Sequence, residues 1–573
     1  MGIRLDVNGR SMEAEKGETI LSALNRHGIH VPTICSMKGL SPSGACRMCV
    51  VEVEGRENLV PSCSFYVEES MMIHTHSPRV LRARKINLEL LLSNHPDDCL
   101  YCERNGSCEL QTLSEEMNIR ERRIPGNRKA RKKDHSSPAI VRDPSKCILC
   151  GRCVRVCEEV MHTSTLDFAN RGSELRISTM LDVSLDDSNC TSCGQCLMSC
   201  PTGALIEKMD FPELESHLHD PGKLVVAQYS PAVAVSLGEM LGFKPGTDLS
   251  GIIHAVLRRT GFDYVFESSL GADLMIMEQA RLFMDRMKES QTLPLITSSC
   301  PAWIHYAEQY YPELFSCLSP LKSPRQITGE VIRDLFSGGE YSAGKPVVSV
   351  LISSCTAAKT EACRTHSSLT GAPVIDLVLT TRELARMIRQ GGLDLDMLKA
   401  QPPDILFRSA DMAGRLCSVS GGEAEATAQA ILARLSGSAM PASKLHRFRG
   451  HKPVREVSLK IGETSVRIGI VSGLANAVRL IEELRAGKKQ LDYLEVMACP
   501  GGCINGGGQP IPAKELSLRA RTKAVFDTEN GGQAEAASDT RSVRDFYGES
   551  PAEPGGERTR EFMYTRFTPR QNP

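Results

Sequence analysis

Glu495–Pro510 reads EVMACPGGCINGGGQP, and this stretch decides how the C-terminal half of the chain is interpreted. It begins inside a short apolar run, YLEVMA, and places Cys499 and Cys503 in a loop that is rich in glycine. Loops that follow strands are where α/β folds bind their ligands. Glycine also lets the backbone approach a bound group closely. The stretch therefore predicts a strand that ends at a two-cysteine ligand site.

Two more cysteines follow apolar runs further upstream. Cys300 lies in TSSCPAW after PLI, and Cys355 lies in SSCTAAKTE after VVSVLI. The runs KLVVAQY and VRIGIVSG belong to the same series, with helical patterns such as LANAVRLIEELRAG after them. This alternation predicts an α/β domain with a largely parallel sheet over residues 208–515. The polar, glycine-rich residues 516–573 are predicted to be a partly mobile tail.

Upstream of this domain, one cysteine pattern occurs twice, as CILCGRCVRVC and CTSCGQCLMSCP. Two C-x2-C-x2-C-x3-C runs predict a ferredoxin-like domain with two [4Fe–4S] clusters, in which the fourth cysteine of each run binds the other cluster. We assign this domain to residues 126–207, with zinc binding as the alternative. The predicted ligands are Cys147, Cys150, Cys153 and Cys200 for one cluster, and Cys190, Cys193, Cys196 and Cys157 for the other.

Residues 1–79 contain short strand-like runs around a glycine- and serine-containing loop, SPSGACRMC. Four cysteines with a C-x2-C pair in the middle suit a [2Fe–2S] cluster, although the spacing is longer than the plant-type pattern. We predict a ferredoxin-like domain with the β-grasp fold, and zinc is again the alternative. The predicted ligands are Cys35, Cys46, Cys49 and Cys63.

Residues 80–125 combine a helical pattern, LRARKINLELLL, with a C-x2-C-x5-C run that lacks a fourth cysteine. A histidine lies four residues before the first of these cysteines. We predict a histidine-ligated [4Fe–4S] domain, and a zinc site with the same ligands is the alternative. The predicted ligands are His95, Cys99, Cys102 and Cys108.

The composition excludes several classes of protein. The chain has 573 residues, 41% of them apolar, and a formal net charge of −1, so nothing draws it generally to nucleic acid or membranes. It shows no secretion signal and no apolar run of membrane-spanning length, which predicts a soluble, cytoplasmic protein. The basic segment 118–134 is either a solvated linker or a docking patch for an acidic electron carrier. No G-x-G-x-x-G motif for a dinucleotide is present.

The motifs at 297–303, 353–361 and 495–510 together resemble the three signature segments of the [FeFe]-hydrogenases. The order of the N-terminal clusters resembles the large monomeric members of that family, and the resemblance covers roughly residues 1–515. It implies that a [4Fe–4S] cube is held by Cys300, Cys355, Cys499 and Cys503. It also implies that Cys503 bridges to a diiron unit with CO, cyanide and a dithiolate, that Met497 packs beside it, and that the reaction is 2H⁺ + 2e⁻ ⇌ H2.

This chain departs from the family in its proton path. Ser299 stands where the family has a proton-passing cysteine, and a hydroxyl is a far weaker acid than a thiol of pKa about 8.5. Gln279 and Leu282 stand at positions of relay carboxylates, and Ser319 alone remains of that path. These changes predict slow turnover or a different path, in which another acid such as Glu278 takes part.

The surroundings expected for the diiron unit are altered as well. The family's serine donor is replaced by Ala232, its Met-Pro pair by two serines (353 and 354), and its lysine donor by Ala358. A shift of the loop would bring Lys359 to that place, and Glu361 is retained. Cys417 has no partner at ligand spacing, so we expect it to be a buried thiol.

The sequence therefore predicts a hydrogenase with an H-cluster, three further [4Fe–4S] clusters and one [2Fe–2S] cluster. Electrons would enter at the [2Fe–2S] or the histidine-ligated cluster, from a ferredoxin or from a flavoprotein subunit linked to NAD(P). The alternatives are an H2- or redox-sensing protein and a non-catalytic electron-transfer subunit. The residues expected to act directly in catalysis are Ser299, Cys503, Met497, Ser319 and Lys359.

Overall fold

We describe the chain from a computed structural model. Within its described part, no helix has the length and apolarity needed to cross a bilayer. The described residues are 2–126, 128, 131–289, 293–337, 341–364, 373–404, 413–436, 440, 442–461, 464–511, 515–530 and 555–570.

The N-terminal domain is a small mixed sheet with one helix packed on it, as predicted. Its elements are β1 (Ile3–Val7), β2 (Arg10–Ala14), α1 (Ile20–Arg26), β3 (Val50–Val53), β4 (Val60–Pro61) and β5 (Met71–His74). The strand order is β2-β1-β5-β3-β4, and β1 pairs with β5 in parallel. Residues Ile20 and Leu24 of the helix join the core of the sheet. Three of the cysteines lie in the loop before β3, and Cys63 follows β4.

Two helices form the next segment, α2 (Pro78–Asn94) and α3 (Glu109–Glu116). The longer helix starts where Ser77 accepts a hydrogen bond from the Val80 amide and Pro78 occupies the first turn. It is fastened to the N-terminal domain by the buried Arg84, whose guanidinium donates to the Val50 carbonyl at 2.7 Å. It ends at His95, so the end of the helix positions that ligand.

The ferredoxin-like domain repeats one unit, as the cysteine pattern predicted. Each unit has a glycine with positive φ directly before a short helix, Gly151 at 68° and Gly194 at 70°. Here glycine is needed because other residues rarely adopt this conformation. The elements are β6 (Ile140–Arg142), α4 (Arg152–Arg155), β7 (Asp167–Ala169), β8 (Arg176–Ser178), α5 (Gln195–Ser199) and β9 (Leu205–Glu207). The pairs β6–β9 and β7–β8 are antiparallel.

The large C-terminal domain contains two four-stranded sheets rather than the one sheet that was predicted. The first has the order β11-β10-β13-β14 and is parallel, and the second has the order β12-β17-β16-β15 and ends in an antiparallel pair. The strands are β10 (Leu224–Tyr229), β11 (Tyr264–Glu267), β12 (Leu295–Ile296), β13 (Val347–Ser353), β14 (Leu377–Thr380), β15 (Val454–Ile461), β16 (Thr464–Ser472) and β17 (Tyr493–Met497).

Helices surround these two sheets and cover their apolar faces. They are α6 (Phe211–Leu218), α7 (Pro231–Ala234), α8 (Ser250–Arg259), α9 (Ser269–Lys288), α10 (Pro301–Tyr310), α11 (Pro324–Ser337), α12 (Ala357–Ala362), α13 (Thr381–Gln390), α14 (Gly422–Ser436), α15 (Ala442–Leu445), α16 (Leu474–Arg485), α17 (Glu515–Asn530) and α18 (Glu557–Met563).

The last two helices correct the predicted boundary at residue 515. The α17 helix is anchored by Arg521, which is fully buried, pairs with Glu239 at 2.6 Å and donates to the Ile504 carbonyl at 2.8 Å. The α18 helix places Phe562 and Met563 in the core of the C-terminal domain. Part of the predicted mobile tail is therefore packed structure, while residues 531–554 lie outside the described part.

Candidate active site and cluster sites

The four N-terminal cysteine thiols converge on one buried pocket. Cys35 contacts Cys46 and Cys63 by hydrogen bonds, and Cys49 contacts Cys63 in the same way. The two thiols that donate to Cys35 lower its pKa, and the amides of Ala45 and Cys46 act in the same direction. A pocket of four thiols with amides aimed at sulfur fits a [2Fe–2S] cluster.

His95 presents an unused ring nitrogen at the end of α2. Its side chain is 8% exposed, and its Nδ1 contacts the Pro96 carbonyl oxygen at 3.0 Å. Its Nε2 is buried without a hydrogen-bond partner in the described structure. Burial lowers the pKa of the imidazole, which favours the neutral form that binds metal. With Nδ1 donating to the carbonyl, the Nε2 lone pair is left to act as the ligand predicted beside Cys99, Cys102 and Cys108.

Two apolar cavities separate the eight ferredoxin cysteines in the crossed arrangement that was predicted. Burial raises the pKa of Cys147 to about 11 and that of Cys150 to about 12, so these thiolates need the positive charge of a cluster. One cavity is lined by Cys147, Cys150, Cys153 and Cys200, and the other by Cys157, Cys190, Cys193 and Cys196. We call the first the outer cavity and the second the inner cavity.

Both N-terminal cluster sites contact the outer cavity. Arg155 donates to the carbonyl oxygens of Cys35 at 2.6 Å and Cys150 at 3.4 Å, which ties the [2Fe–2S] pocket to this cavity. Gly203 lies so close to Cys102 that an added Cβ would meet its sulfur at 2.7 Å. The chain therefore has two neighbouring entrances to the first ferredoxin cluster.

The inner cavity contacts the large domain through a pair of glycines. A Cβ on Gly507 would lie 2.7 Å from the Cα of Gly194 and 2.5 Å from the Cys193 carbonyl oxygen. Beside them, the Thr356 hydroxyl donates to the Ser192 carbonyl at 2.8 Å. The glycine-rich loop of the large domain therefore lies directly against a ligand of the second ferredoxin cluster.

Four further cysteines meet where strands of the two sheets end, as predicted. Cys355 follows β13, Cys499 follows β17, and Cys300 begins α10 after β12. Cys503 follows Gly502, which has a φ of 103° and whose Cβ position is 2.8 Å from the Ser420 amide nitrogen, so only glycine fits there. Burial raises the pKa of Cys355 to about 11 and that of Cys503 to about 12. These buried thiols suit a cluster rather than free thiolates.

Arg325 supplies a buried positive charge to this group of cysteines, and the sequence analysis did not identify it. It is 7% exposed and donates to Glu361 at 3.2 Å and to the Ser299 carbonyl at 3.2 Å. Its charge lowers the pKa of Cys355 and of Cys503, against the larger effect of burial. An arginine from the first turn of α11 therefore offsets part of the negative charge that cysteine ligands bring.

Met497 ends β17 and packs against Gly502, the residue before Cys503. It is 3% exposed, and its sulfur is 3.0 Å from the Cβ position of Gly502. Ser353, one of the substituted residues, accepts a hydrogen bond from the Cys355 amide at 3.1 Å. Ala232 offers only its carbonyl oxygen, which accepts from Gln509 at 3.1 Å.

Lys359 does not occupy the role that was predicted for it. Its ammonium group contacts Asp210 at 2.8 Å, Glu383 at 3.2 Å and the Val378 carbonyl at 2.5 Å. Glu383 also accepts from the Thr380 amide at the start of α13. The physical reason is that the buried lysine is held by Asp210 at the start of α6, by the buried Glu383 in the first turn of α13, and by a carbonyl of β14. The prediction that a shifted loop brings Lys359 to the diiron unit is therefore wrong.

Ser299 has a partner that the sequence analysis missed, the carboxylate of Glu423. The Ser299 hydroxyl lies 2.5 Å from one oxygen of Glu423, and the Gln279 amide nitrogen lies 2.8 Å from the other. Glu423 is fully buried in the first turn of α14, and burial raises its pKa. The only available signal was a pair of acidic residues, Glu423 and Glu425, among small ones in SGGEAEATA.

The remaining residues of the family path do not connect to Ser299. The hydroxyl of Ser319 is buried and has no hydrogen-bond partner among the residues that the structure describes. Leu282 packs against the apolar core. Glu278, considered as a replacement acid, pairs with Arg281 at 2.6 Å and accepts from Tyr564 at 2.7 Å. It therefore has a structural role on α9.

The basic segment 118–134 is partly neutralised by contacts within the chain. Arg123 pairs with Glu89 at 2.6 Å, and Arg128 pairs with Asp97 at 2.6 Å. These pairs hold the segment against the histidine-ligated site and favour the interpretation as a linker over that as a docking patch.

Cys300, Cys355, Cys499 and Cys503 lie at strand ends of the α/β domain, two of them buried and two half-buried, and this organisation is similar to that of the iron-only hydrogenases. The family description "Iron only hydrogenase large subunit, C-terminal domain" matches residues 223–507. A 2Fe-2S cluster binding domain matches 1–78, an NADH-ubiquinone oxidoreductase-G iron-sulfur binding region matches 84–123, and a 4Fe-4S dicluster domain matches 146–204.

Relatives match over the whole length. The chain is 36% identical to the NADP-reducing hydrogenase subunit HndD of Solidesulfovibrio fructosivorans, over 99% of both chains. It is 31% identical to iron hydrogenase 1 of Clostridium pasteurianum, over 98% of this chain and 99% of that one. A solved structure of [FeFe]-hydrogenase HydA1 from Chlamydomonas reinhardtii is 28% identical with a TM-score of 0.56, covering 63% of this chain and 98% of that chain. The chain belongs to the iron-only hydrogenases, oxidoreductases that act on H2 and carry iron–sulfur cofactors including the H-cluster.

Proposed function

We propose that this hydrogenase exchanges electrons with a separate nicotinamide-linked flavoprotein subunit, or with a ferredoxin, through its N-terminal clusters. The observation that carries this proposal is the set of contacts between neighbouring predicted cluster sites. It runs from the [2Fe–2S] pocket through Arg155 to the outer cavity, and from the inner cavity through Gly507 to the four cysteines of the large domain. Electrons can therefore cross the whole chain between neighbouring sites.

The relative in Solidesulfovibrio supports the choice of partner, because its name describes a subunit of an NADP-reducing hydrogenase. No dinucleotide-binding motif was found in this sequence, so a partner would supply the nicotinamide site. Of the 22 cysteines, 19 belong to the predicted ligand sets. Because such thiols need a reducing compartment, we propose that the protein is cytoplasmic.

The proposed cofactors are one [2Fe–2S] cluster, three [4Fe–4S] clusters and the H-cluster, which when bound supplies the chemistry of 2H⁺ + 2e⁻ ⇌ H2. The chain's own residues then have three tasks. Cys300, Cys355, Cys499 and Cys503 hold the iron, and Arg325 offsets their negative charge. The buried side chain of Met497 helps to keep water out. Ser299 moves protons at its hydroxyl by a path other than that of the family.

A second candidate is an H2-sensing protein with slow turnover. It is favoured by the substitution of Ser299 for the family's cysteine and by Lys359 being held away from the site. Exchange of one relay group costs about 10²–10⁴-fold in acid–base catalysis, which a sensor tolerates better than a catalyst.

The test is infrared spectroscopy of anaerobic protein made with the maturation enzymes, followed by turnover with defined electron donors. We expect CO and cyanide bands, together with H2 formation from reduced ferredoxin or from NAD(P)H plus a flavoprotein subunit. CO and cyanide bands without appreciable H2 turnover would favour the H2-sensing function. Full iron–sulfur content without bands would contradict both and leave an electron-transfer protein.

A further inference from the structure

We propose that Glu423 is the proton-relay residue of this hydrogenase, passing protons between Ser299 on the cluster side and Glu495 on the outer side. This inference rests on the proposed function, because it names the path by which protons reach the same active site. It replaces the family path through positions 279, 319 and 282 with a carboxylate on a different helix.

The direct contact between Ser299 and Glu423 is the first step of the argument. The Ser299 hydroxyl donates a hydrogen bond to one carboxylate oxygen of Glu423, so the two groups are within the reach that proton transfer requires. Ser299 precedes the ligand Cys300, and Arg325 holds the Ser299 carbonyl at 3.2 Å. The hydroxyl is therefore held at the edge of the cysteine site with Glu423 behind it.

Gln279 positions Glu423 rather than carrying protons itself. Its amide nitrogen donates to Glu423 at 2.8 Å and to the Tyr493 hydroxyl at 2.7 Å. An amide does not titrate, but two fixed contacts orient the carboxylate toward Ser299. Gln279, which stands where the family has a relay carboxylate, therefore positions the carboxylate of Glu423.

Glu495 is the next acid along the path. It is fully buried on β17, and its two oxygens accept from the amides of Gly421 at 2.6 Å and Ala424 at 2.8 Å, on either side of Glu423. Burial, and then the charge of Glu423, raises the pKa of Glu495 to about 7. A carboxyl group that titrates near neutrality can both receive and release protons.

Other groups face these two acids. Cys417 lies near both, and burial followed by the charge of Glu423 raises its pKa well above the ordinary value, so it stays a neutral thiol. Arg455 lowers the pKa of Glu495 from the outer side and donates to the Ser420 carbonyl at 2.7 Å. This arginine is partly exposed, so the path opens to solvent there.

The proton balance of the relay is simple. Neutral Glu423 gives its proton to the Ser299 oxygen while the serine releases its own proton toward the cluster cavity. Glu423 then takes a proton from Glu495, which is reprotonated from solvent. Only O–H bonds form and break, the iron–sulfur clusters supply the electrons, and H2 oxidation runs the same steps backwards.

The first measurement compares Glu423→Gln with Glu278→Gln in fully matured protein. Both residues are fully buried carboxylates of the same domain, but Glu278 pairs with Arg281 and Tyr564 instead. We expect Glu423→Gln to lose about 10²–10⁴-fold in turnover while the CO and cyanide bands persist. The Glu278→Gln control keeps both. Unchanged turnover in Glu423→Gln with its bands intact would overturn the proposal.

The second measurement does not depend on turnover. In protein with its iron–sulfur clusters but no diiron unit, infrared difference spectra between wild type and Glu423→Gln isolate the carboxyl signal of Glu423. We expect a protonated carboxyl band that shifts in D2O.

The two measurements separate the possible failures. If Glu423→Gln does not assemble the diiron unit, the carboxyl band of the wild type still decides, and its absence or its failure to exchange in D2O would refute the relay. If the wild type itself shows neither CO and cyanide bands nor turnover, the proposed function fails. The carboxyl measurement then independently supports or refutes the assignment of Glu423 as an exchanging acid.

Discussion

Substitution of Ser299 by alanine tests the Ser299–Glu423 contact quantitatively. Ser299 supplies the hydroxyl that donates to one oxygen of Glu423, while Gln279 donates to the other. A hydrogen bond to a charged group contributes about 1.5–3 kcal/mol. Its loss shifts the equilibrium of Glu423 toward the acid form by about ten- to hundredfold, at about 1.4 kcal/mol for each factor of ten.

The direction of the change in the pKa of Glu423 depends on which protonation state of its carboxyl group loses the hydrogen bond. The donated hydrogen bond stabilises the carboxylate and lowers the pKa that burial has raised. Ser299→Ala therefore raises the pKa of Glu423 further, and the carboxyl band of protein without the diiron unit persists to higher pH. Turnover of the matured variant falls as well, because the hydroxyl is the last carrier before the cluster cavity.

Ser298 provides a matched control. It is a neighbouring buried serine whose hydroxyl donates to the Leu321 carbonyl at 2.8 Å, away from Glu423. Ser298→Ala should leave the midpoint of the Glu423 carboxyl band where it is in the wild type. Equal midpoints in Ser299→Ala and Ser298→Ala would refute the claim that Ser299 and Glu423 interact.

Three further predictions follow from other sites. Gly507→Ala places a Cβ 2.5 Å from a backbone oxygen and so disturbs the contact between the two domains. We therefore expect slower reduction of the H-cluster by the ferredoxin clusters in rapid-freeze spectroscopy. The control Gly222→Ala, whose Cβ meets only an exposed side chain, should match the wild type. His95→Ala should lose or convert one [4Fe–4S] signal in Mössbauer spectra, whereas His74→Ala, at an exposed Glu54 contact, should keep it. Lys359→Met should lower the free energy of unfolding by about 3–5 kcal/mol, because it breaks a buried ion pair, and should leave the cyanide bands unmoved. A shift of those bands would instead support a contact between Lys359 and the diiron unit.

The ligand residues could be predicted from sequence because cluster binding is largely local. The C-x2-C runs place sulfurs within one loop, and the repeat predicts that Cys157 and Cys200 exchange clusters. His95 could be predicted for the same reason, since the helix before it ends within ligand reach of Cys99. In each case the spacing along the chain determines the distance in space.

The proton path could not be predicted in this way. Glu423 is 124 residues from Ser299 and belongs to a helix whose sequence resembles any alanine-rich surface helix. Arg325 reaches the site from the start of α11, and Lys359 turns away because of Asp210 and Glu383, which lie elsewhere in the sequence. These contacts depend on how two sheets and their helices pack, which no local pattern encodes.

The contact between Gly194 and Gly507 has a consequence for engineering by exchange of modules. Because two backbones touch there without side chains, the surface of each domain is complementary only to this particular partner loop. A ferredoxin module transplanted from a relative would have to bring the same bare turn and the Ser192 carbonyl that Thr356 grips. A fragment that begins after residue 207 would leave that carbonyl's donor and the glycine loop exposed to water. Compatibility of donor and recipient thus depends on this close backbone contact and on interdomain pairs such as Glu207–Arg382, and not on the clusters alone.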